Sequence, residues 1–243
     1  MISRTVRGCC GPLPTSGFCP TSRPSAASLG LEEAFQIPLG GYPVRGFLDL
    51  RGSYRRGVDQ GKVVVADWKT AGGELDIAWQ SRLVDSHQWR LYSLVPPGAD
   101  FISYRGVSVK GKTREVYIDL AAVSGVREDV ENHFGGIGDQ MVALAGRDRW
   151  PQNKPSACGQ YGQSCCFKTQ CDNGTSPRYL LPAEDILLSY SGAGRFMTCP
   201  EKFRLMKTAE SGIDGTDATR LGNSFHSGIE ELWSLAFQKY GED

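Results

Sequence analysis

The chain reads Lys62-Val-Val-Val-Ala-Asp-Trp-Lys69 in the middle of its first half. Three successive valines predict a strand whose two faces are both buried. The strand ends with Asp67 and Lys69, and because side chains alternate along a strand, these two lie on the same face. The sequence therefore predicts a buried strand that presents an acid and a base together at its end.

The segments around this strand predict the other elements of an α/β fold. Strands are expected at residues 33–39 and 43–51, around a Gly40-Gly41 turn, and as a hairpin at residues 101–109 and 113–120. Apolar residues at helical spacing predict helices at residues 76–95, 123–145, 191–207 and 223–240. The expected architecture is a mixed central β-sheet flanked by helices.

One segment imitates a phosphate-binding loop. The stretch from Gly106 to Thr113 satisfies the Gly-x-x-x-x-Gly-Lys-Thr pattern. A phosphate loop must open a helix whose first amides face the phosphates. The residues that follow alternate as in a strand, so we interpret this segment as a hairpin turn and exclude a nucleotide-driven motor.

Composition bounds the class of protein. The chain has 243 residues, 40% hydrophobic residues and a formal net charge of zero, which suits one folded domain with an appended fragment. Any nucleic-acid binding must then come from a local basic patch. No apolar run approaches the roughly 20 residues that span a bilayer. Residues 1–30 lack a secretory signal and are predicted to be disordered, so we expect a cytoplasmic protein that does not contact membranes.

Five cysteines fall between residues 158 and 199. In a chain without a secretion signal, such a cluster indicates a metal site more readily than disulfides. Thiolates are the usual ligands of iron–sulfur clusters and also hold tetrahedral zinc. Free cysteines without a metal are the third interpretation.

Three short motifs carry the predicted chemistry: Gly46-Phe-Leu-Asp49, Asp67-Trp-Lys69 and Gln88-Trp-Arg-Leu-Tyr92. Asp49 and Asp67 offer the carboxylate oxygens that bind a hard divalent cation, and the Trp68 carbonyl is a further ligand. The Lys69 ammonium would orient water or stabilise negative charge. Each residue taken alone is an ordinary solvated charge or core side chain, and only the ordered set indicates function.

Together with two downstream motifs, these residues resemble the PD-(D/E)XK nuclease superfamily, in particular its RecB-like, CRISPR-associated-type iron–sulfur exonuclease branch. The downstream motifs are Cys199-Pro200-Glu-Lys-Phe203 and Gly222-Asn-Ser-Phe-His226. In that branch they normally come first. The inverted order fits a circular permutant, a fragment whose end opens a second copy, or two chains that complement each other in trans. We favour a permutant that completes its own site.

The resemblance implies a restriction-endonuclease-like core at residues 31–148, a cysteine loop at 149–180 and a completing helical segment at 185–243. It implies that His226 joins Asp49 and Asp67 in binding Mg²⁺ or Mn²⁺, and that Gln88 and Tyr92 shape the site and contact the DNA backbone. A histidine at the edge of the core is the alternative for His226. The resemblance also implies a 4Fe–4S cluster, with zinc as the alternative, on Cys158, Cys165, Cys171 and Cys199, with Cys166 as a substitute.

The implied function is metal-dependent, exonucleolytic hydrolysis of DNA in phage or bacterial recombination, repair or defence, with a helicase or recombinase as a partner in trans. The alternatives are a catalytically idle DNA-binding module with a structural iron–sulfur or zinc site, and a zinc-stabilised interaction domain. The predicted phosphate contacts, each of which is otherwise a solvated surface residue, are Arg45, Arg51, Arg55, Arg56, Lys202 and Arg204.

Overall fold

The structure, a computed structural model, describes residues 4–8, 30–54, 58–108, 115–122, 125–153, 158–159, 164–174, 181–183, 186–208, 224, 227–228, 231–232 and 235. These residues form an α/β fold in which a mixed sheet is flanked by helices, which confirms the predicted class. The strands are β1 (Arg4–Gly8), β2 (Gly30–Leu39), β3 (Tyr42–Ser53), β4 (Val63–Ala71), β5 (Phe101–Ser108) and β6 (Glu115–Ala121). The helices are α1 (Ile77–Val84), α2 (His87–Ser93), α3 (Val126–Leu144), α4 (Lys168–Asn173), α5 (Tyr190–Thr198) and α6 (Pro200–Thr208).

The described strands pair in the order β1-β6-β5-β4-β3-β2. β4 lies between an antiparallel neighbour, β3, and a parallel one, β5. A parallel pair needs a crossover connection, and α1 and α2 occupy that connection between β4 and β5. Val64, Val65 and Ala66 in β4 are at most 4% exposed, so the prediction of a buried central strand is confirmed.

The predicted helix at residues 76–95 is wrong in one respect, because the structure divides it into α1 and α2. Asp76 caps α1 by accepting a hydrogen bond from the Trp79 N–H at 2.7 Å. The chain leaves the helix at Asp85, and the Ser86 hydroxyl donates to the Leu83 carbonyl at 2.8 Å. This bond satisfies a carbonyl at the end of α1, so the interruption is stable.

The helix predicted at residues 191–207 is also two helices, α5 and α6. Cys199 separates them in an extended conformation, with φ −162° and ψ 107°. The ring of Pro200 disfavours the helical conformation for the residue before it, which explains the break.

The prediction that residues 1–30 are disordered is wrong for Arg4–Gly8. This segment pairs antiparallel with β6, where Arg4 lies opposite Leu120 and Gly8 opposite Val116. The backbone of a strand at the edge of a sheet has unpaired donors and acceptors, and β1 satisfies those of β6.

A strand, and not a helix, follows the segment that imitates a phosphate-binding loop. β5 ends at Ser108 and the next element, β6, is a strand that starts at Glu115. No helix therefore follows the imitation phosphate loop, as predicted, while residues 109–114 themselves lie outside the described part. The helix predicted at 123–145 is confirmed as α3. Most of residues 223–240 lie outside the described part, and those that are described are helical.

The chain divides into two compact units, the first made of Met1–Phe35, Phe47–Arg127 and Gly215–Asp243, the second of Gln36–Gly46 and Glu128–Asp214. No helix in the described part of the chain is long and apolar enough to cross a membrane.

In the second unit the turn between β2 and β3 has positive φ at Gly40 and Gly41, 57° and 84°, as a tight hairpin turn requires.

The same turn lies directly against α3. A Cβ added to Gly40 would lie 2.6 Å from the Gly135 Cα, and one added to Gly138 would collide with the Tyr42 ring. The Tyr42 hydroxyl donates to Asp139 at 2.7 Å. Absent side chains therefore allow the hairpin and the helix to make backbone contact.

A buried polar and aromatic cluster anchors the start of the cysteine segment in the second unit. Trp150 stacks on Phe203 with ring centroids 6.2 Å apart and meets Phe196 edge-on at 5.9 Å. The Glu201 carboxylate accepts from the backbone N–H of Trp150 at 2.8 Å and from Arg204 at 2.9 and 2.7 Å. Glu201 and Arg204 are both 0% exposed, so this ion pair is held away from water.

Candidate functional site

Asp67 is the centre of a buried polar site in the first unit. Asp67 is 2% exposed, and it lies on β4, between β3 and β5. Lys69, two residues on, extends its ammonium back to within 2.5 Å of Asp67 Oδ2, with its side chain 28% exposed. The predicted acid and base on one face of the strand are therefore in contact.

The other carboxylate oxygen of Asp67 is held from α2. The Tyr92 hydroxyl donates to Oδ1 at 3.3 Å, and the Gln88 amide N–H lies 3.4 Å from the same oxygen. Gln88 also donates to the Tyr92 hydroxyl at 2.8 Å. The predicted pair thus meets Asp67 from one helix face, because residues four apart on a helix are neighbours.

The two oxygens of Asp67 differ in their partners. Oδ1 receives the donors from α2, whereas no donor among the described residues is aligned for a hydrogen bond to Oδ2. The short contact of Lys69 with Oδ2 is therefore an ion pair without hydrogen-bond alignment. A buried carboxylate oxygen in this state is the atom that a cation would bind with least loss of existing bonds.

Asp49 lies beside this site on β3. It is half-buried, and its Oδ2 accepts from the backbone N–H of Trp68 at 2.9 Å. Burial raises the pKa of Tyr92 well above its ordinary value, and the charges of Asp67 and then Asp49 raise it further. Both carboxylates are therefore close enough to act on one phenol, which stays a neutral hydrogen-bond donor across the physiological range.

Tyr104 belongs to the same site, although no motif indicated it. It is 0% exposed, and β5 places it opposite Asp67 in the parallel register. Lys69 Nζ lies 5.8 Å from its ring centroid, and Ser86 Oγ lies 3.5 Å from its hydroxyl. Only the register of β4 against β5 brings Tyr104 here, so apolar alternation within residues 101–109 gave no signal for it.

The position of His226 relative to the acids is not described. Gly222 and His226 both lie outside the described residues. The histidine that was expected to join Asp49 and Asp67 therefore remains a prediction, as does the role of the Trp68 carbonyl. Among the residues that the structure describes, no three His, Cys, Asp or Glu side chains form a group able to hold a metal ion.

The cysteine segment is partly described. The Cys165 N–H donates to the Cys158 carbonyl at 2.9 Å, which closes a short loop. Cys171 lies in α4 and Cys199 is buried between α5 and α6, while Cys166 is exposed. Burial raises the pKa of the Cys166 thiol, and the nearby Lys202 ammonium opposes this. The predicted ligands all lie in the second unit, but no three of them form a metal-binding group among the described residues.

The predicted phosphate contacts divide into three kinds. Arg45 is exposed and Lys202 half-buried, so both remain predictions. The structure corrects the other two described residues. Arg51 is 9% exposed and bonds the Pro96 carbonyl at 2.6 Å, and the fully buried Arg204 is engaged by Glu201, so neither has a surface from which to contact DNA. Arg55 and Arg56 lie outside the described residues.

The arrangement as a whole is a buried carboxylate, a second acid beside it, one lysine at the solvent boundary and two hydroxyl- or amide-bearing side chains that fix the first acid. Such a set suits hydrolysis assisted by a hard divalent cation.

Comparison of the chain with protein-family models, with curated proteins and with solved structures finds no match.

Proposed function

We propose that this chain is a metal-dependent nuclease that hydrolyses DNA phosphodiester bonds, with a core of the restriction-endonuclease-like type. The observation that carries the proposal is the state of Asp67. Its Oδ1 is bonded from Tyr92 and Gln88, while its Oδ2 faces only the Lys69 ammonium, 2.5 Å away. A purely structural acid would be expected to have both oxygens satisfied by aligned donors.

The donor set fits Mg²⁺ or Mn²⁺. Asp67 Oδ2 and the Asp49 carboxylate would hold the ion, with His226 and the Trp68 carbonyl as proposed further ligands. Both metals accept carboxylate oxygens, and an imidazole would favour Mn²⁺ somewhat. When bound, the ion would activate a water and neutralise charge on the scissile phosphate.

The chain's own side chains then have distinct tasks. Gln88 and Tyr92 hold the Asp67 carboxylate in one orientation, and the high pKa of Tyr92 keeps its hydroxyl a donor. Lys69, at the solvent boundary, orients the attacking water or stabilises the negative charge that develops on the phosphate. We propose that the reaction is exonucleolytic and serves phage or bacterial DNA recombination, repair or defence, with a helicase or recombinase as partner.

The proposal predicts a metal requirement and a need for DNA ends. End-labelled linear DNA should be degraded with Mn²⁺ or Mg²⁺ and left intact when EDTA removes the metal. Covalently closed circular DNA of the same sequence, the matched control, should survive. Degradation is measured by release of acid-soluble label over time. Linear DNA that stays intact with both metals would contradict the proposal, whereas loss of the circle would leave a nuclease and remove only its exonucleolytic mode.

One observation favours a second function. The close contact between Lys69 and Asp67 also suits a catalytically idle DNA-binding module, in which the lysine permanently neutralises the buried acid. Such a module would bind linear DNA and slow its migration in a gel-shift assay, and it would leave the DNA uncut at every metal concentration. The same DNA substrates therefore distinguish the two functions.

For the cysteine segment we propose a 4Fe–4S cluster held by Cys158, Cys165, Cys171 and Cys199, with zinc as the alternative and Cys166 as a substitute ligand. Anaerobically purified chain should contain iron and sulfide and absorb visible light through its thiolate–iron bonds. Cys171→Ser should lower the iron content, whereas Cys9→Ser, the matched control, should not. Zinc without iron would indicate a tetrahedral structural site instead, and absence of both metals would overturn the assignment.

A further inference from the structure

Phe47 is an exposed aromatic side chain next to the acidic site. Phe47 is 60% exposed, and it is the only exposed Phe, Tyr or Trp among the described residues. It lies in β3 two residues before Asp49. Because side chains alternate along a strand, Phe47 and Asp49 are on the same face. Single exposed apolar residues are ordinary, so the position of Phe47, rather than its exposure, carries the inference.

The other aromatic rings around Asp49 and Asp67 are buried or packed against the protein. Tyr92 and Tyr104 are 6% and 0% exposed. Trp79 is half-buried and lies against Gly106, the residue paired with Lys69, where an added Cβ would come within 2.5 Å of the indole ring. Phe47 alone among these described rings offers a face to solvent beside the carboxylates.

We propose that Phe47 is a stacking platform for an unpaired nucleobase of the DNA strand whose phosphate enters the acidic site. The inference rests on the proposed nuclease function and adds its substrate class, single-stranded DNA or a frayed end. Inside a duplex both faces of a base are covered by its neighbours. Only an unpaired or terminal base has a free face for the Phe47 ring.

The spacing along β3 fits this arrangement. Two residues of a strand advance by about 6.7 Å, which is comparable with the phosphate repeat of an extended, unstacked DNA strand. A phosphate at Asp49 and Asp67 therefore leaves the base of an adjacent nucleotide at the level of Phe47. Stacking on a ring accepts any base, because every base has a π face, so the platform selects for strand state and not for sequence.

The test uses the full chain in EDTA, so that binding is measured without hydrolysis, and a single-stranded oligonucleotide containing 2-aminopurine near its end. Binding of wild type should quench the 2-aminopurine fluorescence, because stacking quenches this base. Phe47→Ala should lose the quench and bind the single strand about tenfold more weakly, the loss expected for one base–aromatic stack. Phe47→Trp should keep the quench and the affinity.

Two controls make the result specific. Met197→Ala removes a side chain that is similarly exposed, 55%, on α5, and should bind like wild type. A relaxed, covalently closed circular duplex, in which every base is paired and none is terminal, should bind Phe47→Ala and wild type nearly equally. Should Phe47→Ala bind and quench the single strand like wild type, the platform is overturned, even when wild type cleaves DNA with Mn²⁺. Quenching by a wild type that never cleaves would support the platform and overturn the nuclease.

Discussion

Replacing Lys69 with alanine is expected to slow DNA cleavage by about 100- to 1,000-fold, the loss typical for removal of one charge-stabilising donor from an active site. The physical reason is the position of the ammonium, 2.5 Å from the Asp67 carboxylate and only partly exposed. There it is preorganised for charge that develops on the phosphate. The measurement is the single-turnover rate of cleavage of end-labelled linear DNA with saturating Mn²⁺.

Lys62→Ala is the matched control for this prediction. Lys62 pairs with Asp59 at 2.7 Å, but both side chains are exposed, 45% and 38%. The control removes the same charge from the same unit, and its cleavage rate should stay near that of wild type. Equal rates for Lys69→Ala and wild type would remove Lys69 from the mechanism. Folding of each variant is checked by circular dichroism, since Lys69→Ala leaves Asp67 without its nearest cation.

Replacing Arg204 with methionine is expected to destabilise the protein by about 3–5 kcal/mol, the cost of leaving one member of a buried ion pair without its partner. Glu201 would remain fully buried, and among the described residues only the backbone N–H of Trp150 would still donate to its carboxylate. The free energy of unfolding is measured by urea denaturation, followed by tryptophan fluorescence. Lys168→Ala, which breaks an exposed pair with Asp172, should cost about 1 kcal/mol or less.

The deficit of Arg204→Met should also depend on pH. Burial alone raises the pKa of Glu201, but the hydrogen bonds from Arg204 and Trp150 outweigh it and hold the pKa below its ordinary value. In wild type this stabilisation is present above the pKa of the unfolded chain and is lost as the pH falls through the folded pKa. In Arg204→Met the cost of burying the Glu201 charge dominates, and protonation of the carboxylate removes that cost. The difference in stability should therefore narrow as the medium becomes acidic, and a constant difference would contradict the account.

The sequence predicted the part of the fold that depends on local pattern. Val63-Val-Val65 indicated a buried strand, and Gly40-Gly41 indicated a tight turn whose two residues have positive φ. The contact of Asp67 with Lys69, and that of Asp67 with Gln88 and Tyr92, was also predictable. Strand period and helix period fix which side chains share a face, and the order of the motifs fixes which elements meet.

What the sequence did not reveal depends on competition between local signals or on contacts distant in sequence. Helical spacing continued through Asp85 and Ser86, but the hydrogen bond from Ser86 to the Leu83 carbonyl ends α1 there. The break at Cys199 was predictable in retrospect, because a residue before proline resists the helical conformation. Tyr104 reaches Asp67 only through the register of two parallel strands. Arg204 resembled a surface charge because its burial with Glu201 depends on residues distant in sequence, such as Trp150.

The backbone contact between Gly40 and α3 has a consequence for how this chain varies in nature. No methyl group fits at Gly40 without displacing main chain, and the Tyr42 ring occupies the space over Gly138. A Cβ on Gly135 would lie 3.2 Å from the Gly40 backbone, which is closer than an ordinary contact. Drift at any of these positions would demand a compensating change at another, although they are distant in the gene. Homologues that keep the hairpin should keep these three glycines. The spacing of the glycines is then a longer sequence signature for finding distant homologues than the short acidic motifs.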